Sequence, residues 1–275
     1  MSTSETIIYD SAKRGPAALE ELRGVFQYRD LIFQLVRRDV VTRYKRSILG
    51  IAWTMLQPMG MMLVLTLVFS TLFNDVRGYP TYILSGLIAW TFFSQTTTAI
   101  IAQTVWGGEL FRRIYLPRTS FAISSVGTGL VNIALSLVPL FVIMLIIGTP
   151  IRWSILFMPF VLLLIAAFTL GVGLIISTLA VFFPDISEMY QIILLAWMYL
   201  TPIIYPEQII PPAYRYWFFN LNPMYHLVKI FRMPLYDGIL PDWKTLLVGT
   251  VVSFLTFGIG WFVYSRKADE FAYYA

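Results

Sequence analysis

Few side chains in this sequence are equipped for catalysis. Its 275 residues include no cysteine and a single histidine, His226. A thiolate nucleophile, a cysteine metal site and a disulfide framework are therefore impossible. A histidine-based metal centre or proton relay lacks its second member, so His226 reads as an interfacial side chain. Asp185 and Glu188 follow Pro184 closely, and paired carboxylates can do general acid–base work. The plainer reading is preferred: acidic residues at the start of a helix complement its dipole and can meet basic residues of a partner. No glycine is followed by lysine, so the chain holds no P-loop and cannot cradle nucleotide phosphates that way. If ATP drives anything here, the ATPase is a separate polypeptide.

The remaining chemistry is polar but uncharged. Gln57 beside Pro58, Gln95 with Thr96, Thr97 and Thr98, Asn132 and Gln191 interrupt long apolar runs that contain essentially no charge, and Trp53, Trp90, Phe93, Tyr190, Trp197 and Tyr199 accompany several of them. Ion-coupled transporters keep costly charged groups at such depth, so their absence argues against ion coupling. Aromatic faces stack on the C–H faces of sugar rings while amides and hydroxyls exchange weak hydrogen bonds, so this combination suits a carbohydrate path. Taken singly, each aromatic is equally well explained as a belt anchor or a packing residue. Trp53, Gln57, Trp90, Tyr190, Trp197 and Tyr199 are the candidate path residues.

Positioning such groups falls to membrane helices. Hydrophobic residues make up 58% of the chain, charged residues 13%, and the mean hydropathy is +0.72, whereas a soluble domain is about half apolar and a quarter charged. Six apolar stretches, near 48–73, 81–105, 121–147, 155–183, 186–205 and 245–264, are each long enough to span a bilayer, which takes roughly 20 residues. Gly148 and Pro150 turn the third tightly into the fourth. Ala167 with Gly171, and Gly173 with Ser177, read as close helix contacts.

Fourteen of the 20 lysines and arginines fall at the N-terminus, after the second span or in the tail, which predicts that both termini are cytoplasmic. The same bias explains the net charge of +5 without a nucleic-acid partner. No apolar core before residue 46 is long enough for a cleaved signal.

Two flanking features stand out. Residues 1–25 read as a cytoplasmic tail and 26–47 as an amphipathic interface helix, with Tyr28, Leu31, Ile32, Leu35, Val36, Val40 and Tyr44 as its apolar stripe. Residues 205–244 form one long outer insertion broken by prolines. Pro212 opens a piece carrying Tyr214, Trp217, Phe218 and Leu221 at helical spacing, and Pro223 a second with Met224, Leu227, Val228, Phe231 and Leu235. The predicted fold is all-α: six spans within 48–264, an interface helix, two short helices before the last span, and a tail over 265–275.

Arg43 to Gly50 (RYKRSILG) and Trp53 to Pro58 (WTMLQP), followed by Glu109 to Arg118 (ELFRRIYLPR), resemble the ABC-2 type permeases that export O-antigen, capsular polysaccharide and teichoic acid. The likeness runs from about Leu22 through nearly the whole chain. It departs at Phe182 to Ile186 (FFPDI), where members commonly carry arginine in place of Pro184. The resemblance implies a half-channel in the bacterial inner membrane that pairs with a second copy of itself and docks one ATP-binding subunit per copy. ATP and Mg would sit on that partner, no cofactor on this chain, and the substrate would be an undecaprenyl-linked polysaccharide; a permease for another lipid or drug, or a membrane-bound sugar or lipid transferase, is the alternative. Glu109, Phe111, Arg112, Arg113, Tyr115, Arg118 and Asp185 become the expected ATPase-coupling residues, and Tyr214, Trp217 and Phe218 an external gate.

Overall fold

The computed structural model describes residues 17–45, 49–50, 52–106, 117–268 and 270–271. All regular elements among them are helices. In chain order these are α1 (Ala17–Gln27), α2 (Arg29–Tyr44), α3 (Ala52–Phe69), α4 (Tyr79–Trp106), α5 (Thr119–Ile147), α6 (Met158–Phe182), α7 (Asp185–Leu200), α8 (Pro212–Asn220), α9 (Pro223–Arg232) and α10 (Trp243–Lys267). Short 3₁₀ turns and one π turn fill the joints. In lipid the backbone must satisfy itself, and a helix does so locally. Among the described residues, four segments are long and apolar enough to cross a membrane by length and composition: Ala52–Phe69, Thr119–Ile147, Trp153–Phe182 and Trp243–Lys267. α4 is 28 residues long but richer in hydroxyls and amides, and α7 has 16 residues.

α4 is the axis of the bundle. It packs on α3, α5, α6 and α9, and its first half from Thr81 to Trp90 is buried throughout. α6 lies between α4 and α10. The α6–α10 contact is set by glycines, because a Cβ on Gly171 would stand 2.5 Å from the carbonyl carbon of Thr256 and one on Gly260 2.4 Å from the Gly171 oxygen. Two backbones thus meet directly, as small residues permit in membrane helices. Gly171 was among the expected close contacts; Gly260 was not. Gly148 adopts φ +77° and ends α5 with its N–H on Leu145 O, a left-handed cap suited to glycine.

The interface-helix region differs from the sequence reading. A helix, α1, covers part of the stretch read as tail, and Tyr28 separates it from α2. The apolar stripe of α2 is turned largely onto protein: Leu35 is buried, and Val36 packs so closely on α5 that a Cβ at Gly127 would stand 2.7 Å from it. α1 leans on α10 through Trp261 Nε1, which donates to Ala18 O at 3.1 Å, and on α5 through Thr119, whose hydroxyl donates to Glu21 at 2.6 Å.

Both short helices of the insertion form, each with proline in its first turn, but their surroundings are opposite. Met224, Leu227, Val228, Phe231 and Leu235 are buried against α4, α6 and α10. α8 has no fully buried residue: Tyr214 and Trp217 are exposed, and Phe219 stacks on Tyr225 of α9 at 4.4 Å. Arg232 falls by number within the 205–244 insertion. It is 7% exposed, its guanidinium lies 3.7 Å from the Tyr82 ring centre, and it donates to Pro202 O at 3.1 Å and Ile203 O at 3.4 Å. A positive charge is therefore built into the helical body, held by carbonyl dipoles and a π face.

Candidate functional site

A groove of about 770 Å³ runs between α3, α4 and α7. Trp53 and Gln57 come to it from α3, Trp90, Gln95 and Thr98 from α4, and Gln191 from α7, with Arg43 of α2 at one end. Two side-chain bonds tie its walls: Gln95 Nε2 donates to Gln57 Oε1 at 3.4 Å, and Gln191 Nε2 to Thr98 Oγ1 at 3.2 Å. These amides keep further donor and acceptor capacity for a ligand. Both bonds are exposed. Trp53 is 59% exposed, so its ring is available to stack on a guest.

A second cavity of about 320 Å³ lies on the other side of α3, against α5. Gln57, Gln95 and Arg43 border both cavities, and Asn132, Thr128 and Ser136 line this one. At its α2 wall Gln103 Nε2 donates to Asp39 Oδ2 at 3.5 Å, and Arg38 clamps Asp39 Oδ1 at 2.9 Å. The polar residues of α3 and α4 thus converge on one strip of the bundle. The strip is open where Gln57, Gln95 and the half-buried Thr98 reach the surface, while Thr96 and Thr97 beside them are buried.

The other candidate path residues sit elsewhere. Tyr190 is buried and donates its hydroxyl to Thr97 Oγ1 at 2.9 Å. Trp197 stands edge-on to Trp90 at 6.2 Å and to Phe93 at 5.3 Å, and its Nε1 donates to Asn222 Oδ1 at 2.8 Å. Both side chains are thus used inside the fold. Tyr199 is exposed and lies outside the groove lining. Of the gate residues, Tyr214 and Trp217 are exposed and Phe218 half-buried. Asp185 is the exposed first residue of α7 with Glu188 in the same turn, the placement expected of dipole-complementing acids. Arg118 lies 5.5 Å from the ring centre of Phe271. Glu109, Phe111, Arg112, Arg113 and Tyr115 fall outside the described residues.

Asn222 escaped the sequence reading, although Asn-Pro before an apolar run is a helix-start signal. Its Oδ1 caps α9 through Tyr225 N at 3.3 Å, and its Nδ2 donates to Leu200 O at 3.2 Å and Thr201 Oγ1 at 3.0 Å. One amide joins α7, the following turn and α9. Among the described residues no group of three or more His, Asp or Glu side chains is placed to hold a metal ion.

An ABC-2 type transporter family model matches residues 30–236 of the 275. The chain belongs to the ABC-2 type transporter family. Similar proteins include the O-antigen export system permease protein RfbA of Myxococcus xanthus, 29% identical with 91% of this chain and 97% of that protein covered. The O-antigen export system permease protein RfbA of Klebsiella pneumoniae is 21% identical over 88% of this chain and 94% of its own length. The polysialic acid transport protein KpsM of Escherichia coli is 24% identical over 86% and 92%. For an ABC-2 type transporter the apolar helices mean a multi-pass membrane protein. The match spans α2 through α9, so it takes in the groove, the second cavity and the insertion as far as Tyr236.

Proposed function

We propose that this ABC-2 type transporter is the membrane-spanning, non-enzymatic permease subunit of an ATP-driven exporter of lipid-linked polysaccharide, of the O-antigen, capsule or teichoic acid kind, in the bacterial inner membrane. The observation that carries the reading is the groove: amides, hydroxyls and an exposed tryptophan between α3, α4 and α7, with Arg43 at its end as the one charged residue of the described lining and no Asp, Glu, Lys or Arg in α3 or α4. A polymer must be released as readily as it is held, so contacts along a path have to be weak and repeated. Uncharged amides and an aromatic ring provide that without reading a sugar sequence. The names of the relatives point to the same cargo class.

The groove is open on one side, and α3 and α7, which flank it, carry broad exposed apolar faces that include Leu63, Leu67, Ile192 and Leu195. A second copy placed against these faces closes two grooves into one conduit; otherwise the faces meet lipid. Six spans, with α4 and α7 as the two less apolar ones, put both termini in the cytoplasm and α8 and α9 on the outer side, where they act as a gate. Two copies of a nucleotide-binding subunit, carrying ATP and Mg, dock on the inner segment holding Arg112 and Arg113. The test is export in a strain lacking the chain, rescued by Trp53→Ala/Gln95→Ala, with surface glycan measured per folded transporter. Reduced glycan with normal membrane insertion and ATPase copurification supports the path; an undiminished level removes these residues from it.

A further inference from the structure

At the end of the bundle remote from α1 and α2, a pocket of about 650 Å³ opens between residues 72–77, residues 206–209 and α9. That volume is within the roughly 300–1,000 Å³ typical of small-molecule sites. Its charged lining is mixed: Arg77, Lys229 and Arg232 stand with Asp75, Glu207 and Asp237. Tyr82 and Tyr236, edge to face at 5.4 Å, supply ring walls. The donors are held before any guest arrives. Arg232 is fixed by two carbonyls and the Tyr82 ring, Lys229 by Glu207 at 3.4 Å and the Tyr225 hydroxyl at 3.0 Å, and Tyr236 donates its hydroxyl to Arg77 O.

The sign of this lining selects the guest. Three carboxylates on the wall repel a phosphate or carboxylate ligand, and three cations repel a divalent metal. A sugar hydroxyl both gives and accepts hydrogen bonds, so it is served by alternating carboxylates and cations. The Tyr82 face is taken by Arg232, so the half-buried Tyr236 is the tyrosine left on the lining to meet the C–H side of a pyranose. Partial burial raises the Asp237 carboxyl above its ordinary range, against the pull of Arg232 and Lys229.

We propose that this pocket is a saccharide-binding site, separate from the transmembrane groove, that holds sugar units of the exported glycan at the far mouth of the permease. It rests on the polysaccharide reading above. The test uses the full-length permease in lipid nanodiscs and, as probe, the glycan released by mild acid from the surface of the cells that make it, with binding followed by saturation-transfer NMR. Arg77→Gln and Asp237→Asn, both at exposed positions, should each weaken binding about tenfold, the worth of one hydrogen bond to a charged group, while Lys244→Gln, exposed and outside the lining, keeps it. Unchanged affinity in both variants overturns the site, as does displacement of the glycan by inorganic phosphate or Ca²⁺. Export in the same strains separates the two readings: a strain lacking the chain that still displays glycan removes the polysaccharide function itself. A strain that loses glycan without the chain, but binds and exports normally with both variants, removes only the pocket.

Discussion

A guanidinium that gives N–H groups to two carbonyls and a face to a ring has no close substitute among the side chains. Arg232→Lys keeps the charge but loses the planar fork and the stacking on Tyr82. The expected cost is about 2–3 kcal/mol, seen as a lower unfolding temperature in detergent, with exposed Lys244→Gln as the unchanged control; equal temperatures for both variants contradict the assignment. His226 gives a pH prediction. Burial first, and Lys229 second, lower its pKa from the ordinary 6.5. The unfolded chain then binds the proton more readily than the fold does, so stability falls as pH drops through about 6.5. Asp237 works in the opposite direction above 3.8, because its raised pKa makes the fold hold a proton longer. The informative quantity is therefore the difference: between about pH 7.5 and 5.5 wild type should lose more thermal stability than His226→Asn, and parallel curves exclude the linkage. Neither residue's environment was legible beforehand. Their numbers in the chain place them in a proline-rich loop, and only the return of α9 onto α4 shows that Arg232 is inside.

Helices were readable where a single period dominates. The apolar runs gave α3 to α7 and α10 within a few residues, and Pro212 and Pro223 marked the starts of α8 and α9, because each signal is local. What the runs do not show is rotation about the helix axis. On α7 the buried stripe is Tyr190, Leu194 and the half-buried Trp197, at i, i+4 and i+7, while Gln191 turns to the groove; from Ile192 to Leu200 every residue is apolar or aromatic, so composition does not single out the stripe. Contacts between distant helices are equally silent, which is why Gly171 was read as a close contact but its partner Gly260 was not. The α6–α10 crossing makes a sharp prediction. Gly171→Ala drives a Cβ into the backbone of Thr256 and Phe257 and should cost at least about 1–3 kcal/mol by overpacking. Gly258→Ala, with nothing within 4 Å, should be neutral or gain up to about 1 kcal/mol of helix propensity. Monodisperse yield on size exclusion distinguishes them; equal yields mean that the crossing is not backbone to backbone.

At the scale of the molecule, the basic-residue asymmetry predicts which end faces the cytoplasm. In this cysteine-free chain, Ser4→Cys and Ala275→Cys should resist an impermeant maleimide in intact cells, while Leu240→Cys, 61% exposed, reacts; the reverse pattern inverts the topology. The sequence motifs fixed the family more readily than the site, since a family is recognised by residues along the chain and a groove by residues across it. One feature of the assembled bundle carries information of another kind. Trp90 and Trp197 meet nearly perpendicular, with Phe93 and Phe168 around them, and the Trp197 nitrogen is moored to Asn222 at the foot of α9. Two indoles so close share their electronic transitions, so the native protein carries an intrinsic optical label in its near-ultraviolet circular dichroism. Because one indole rides on α4 and the other, on α7, is tethered to the start of α9, that band should change when α9 leaves its seat, and such a movement becomes observable in the unlabelled protein.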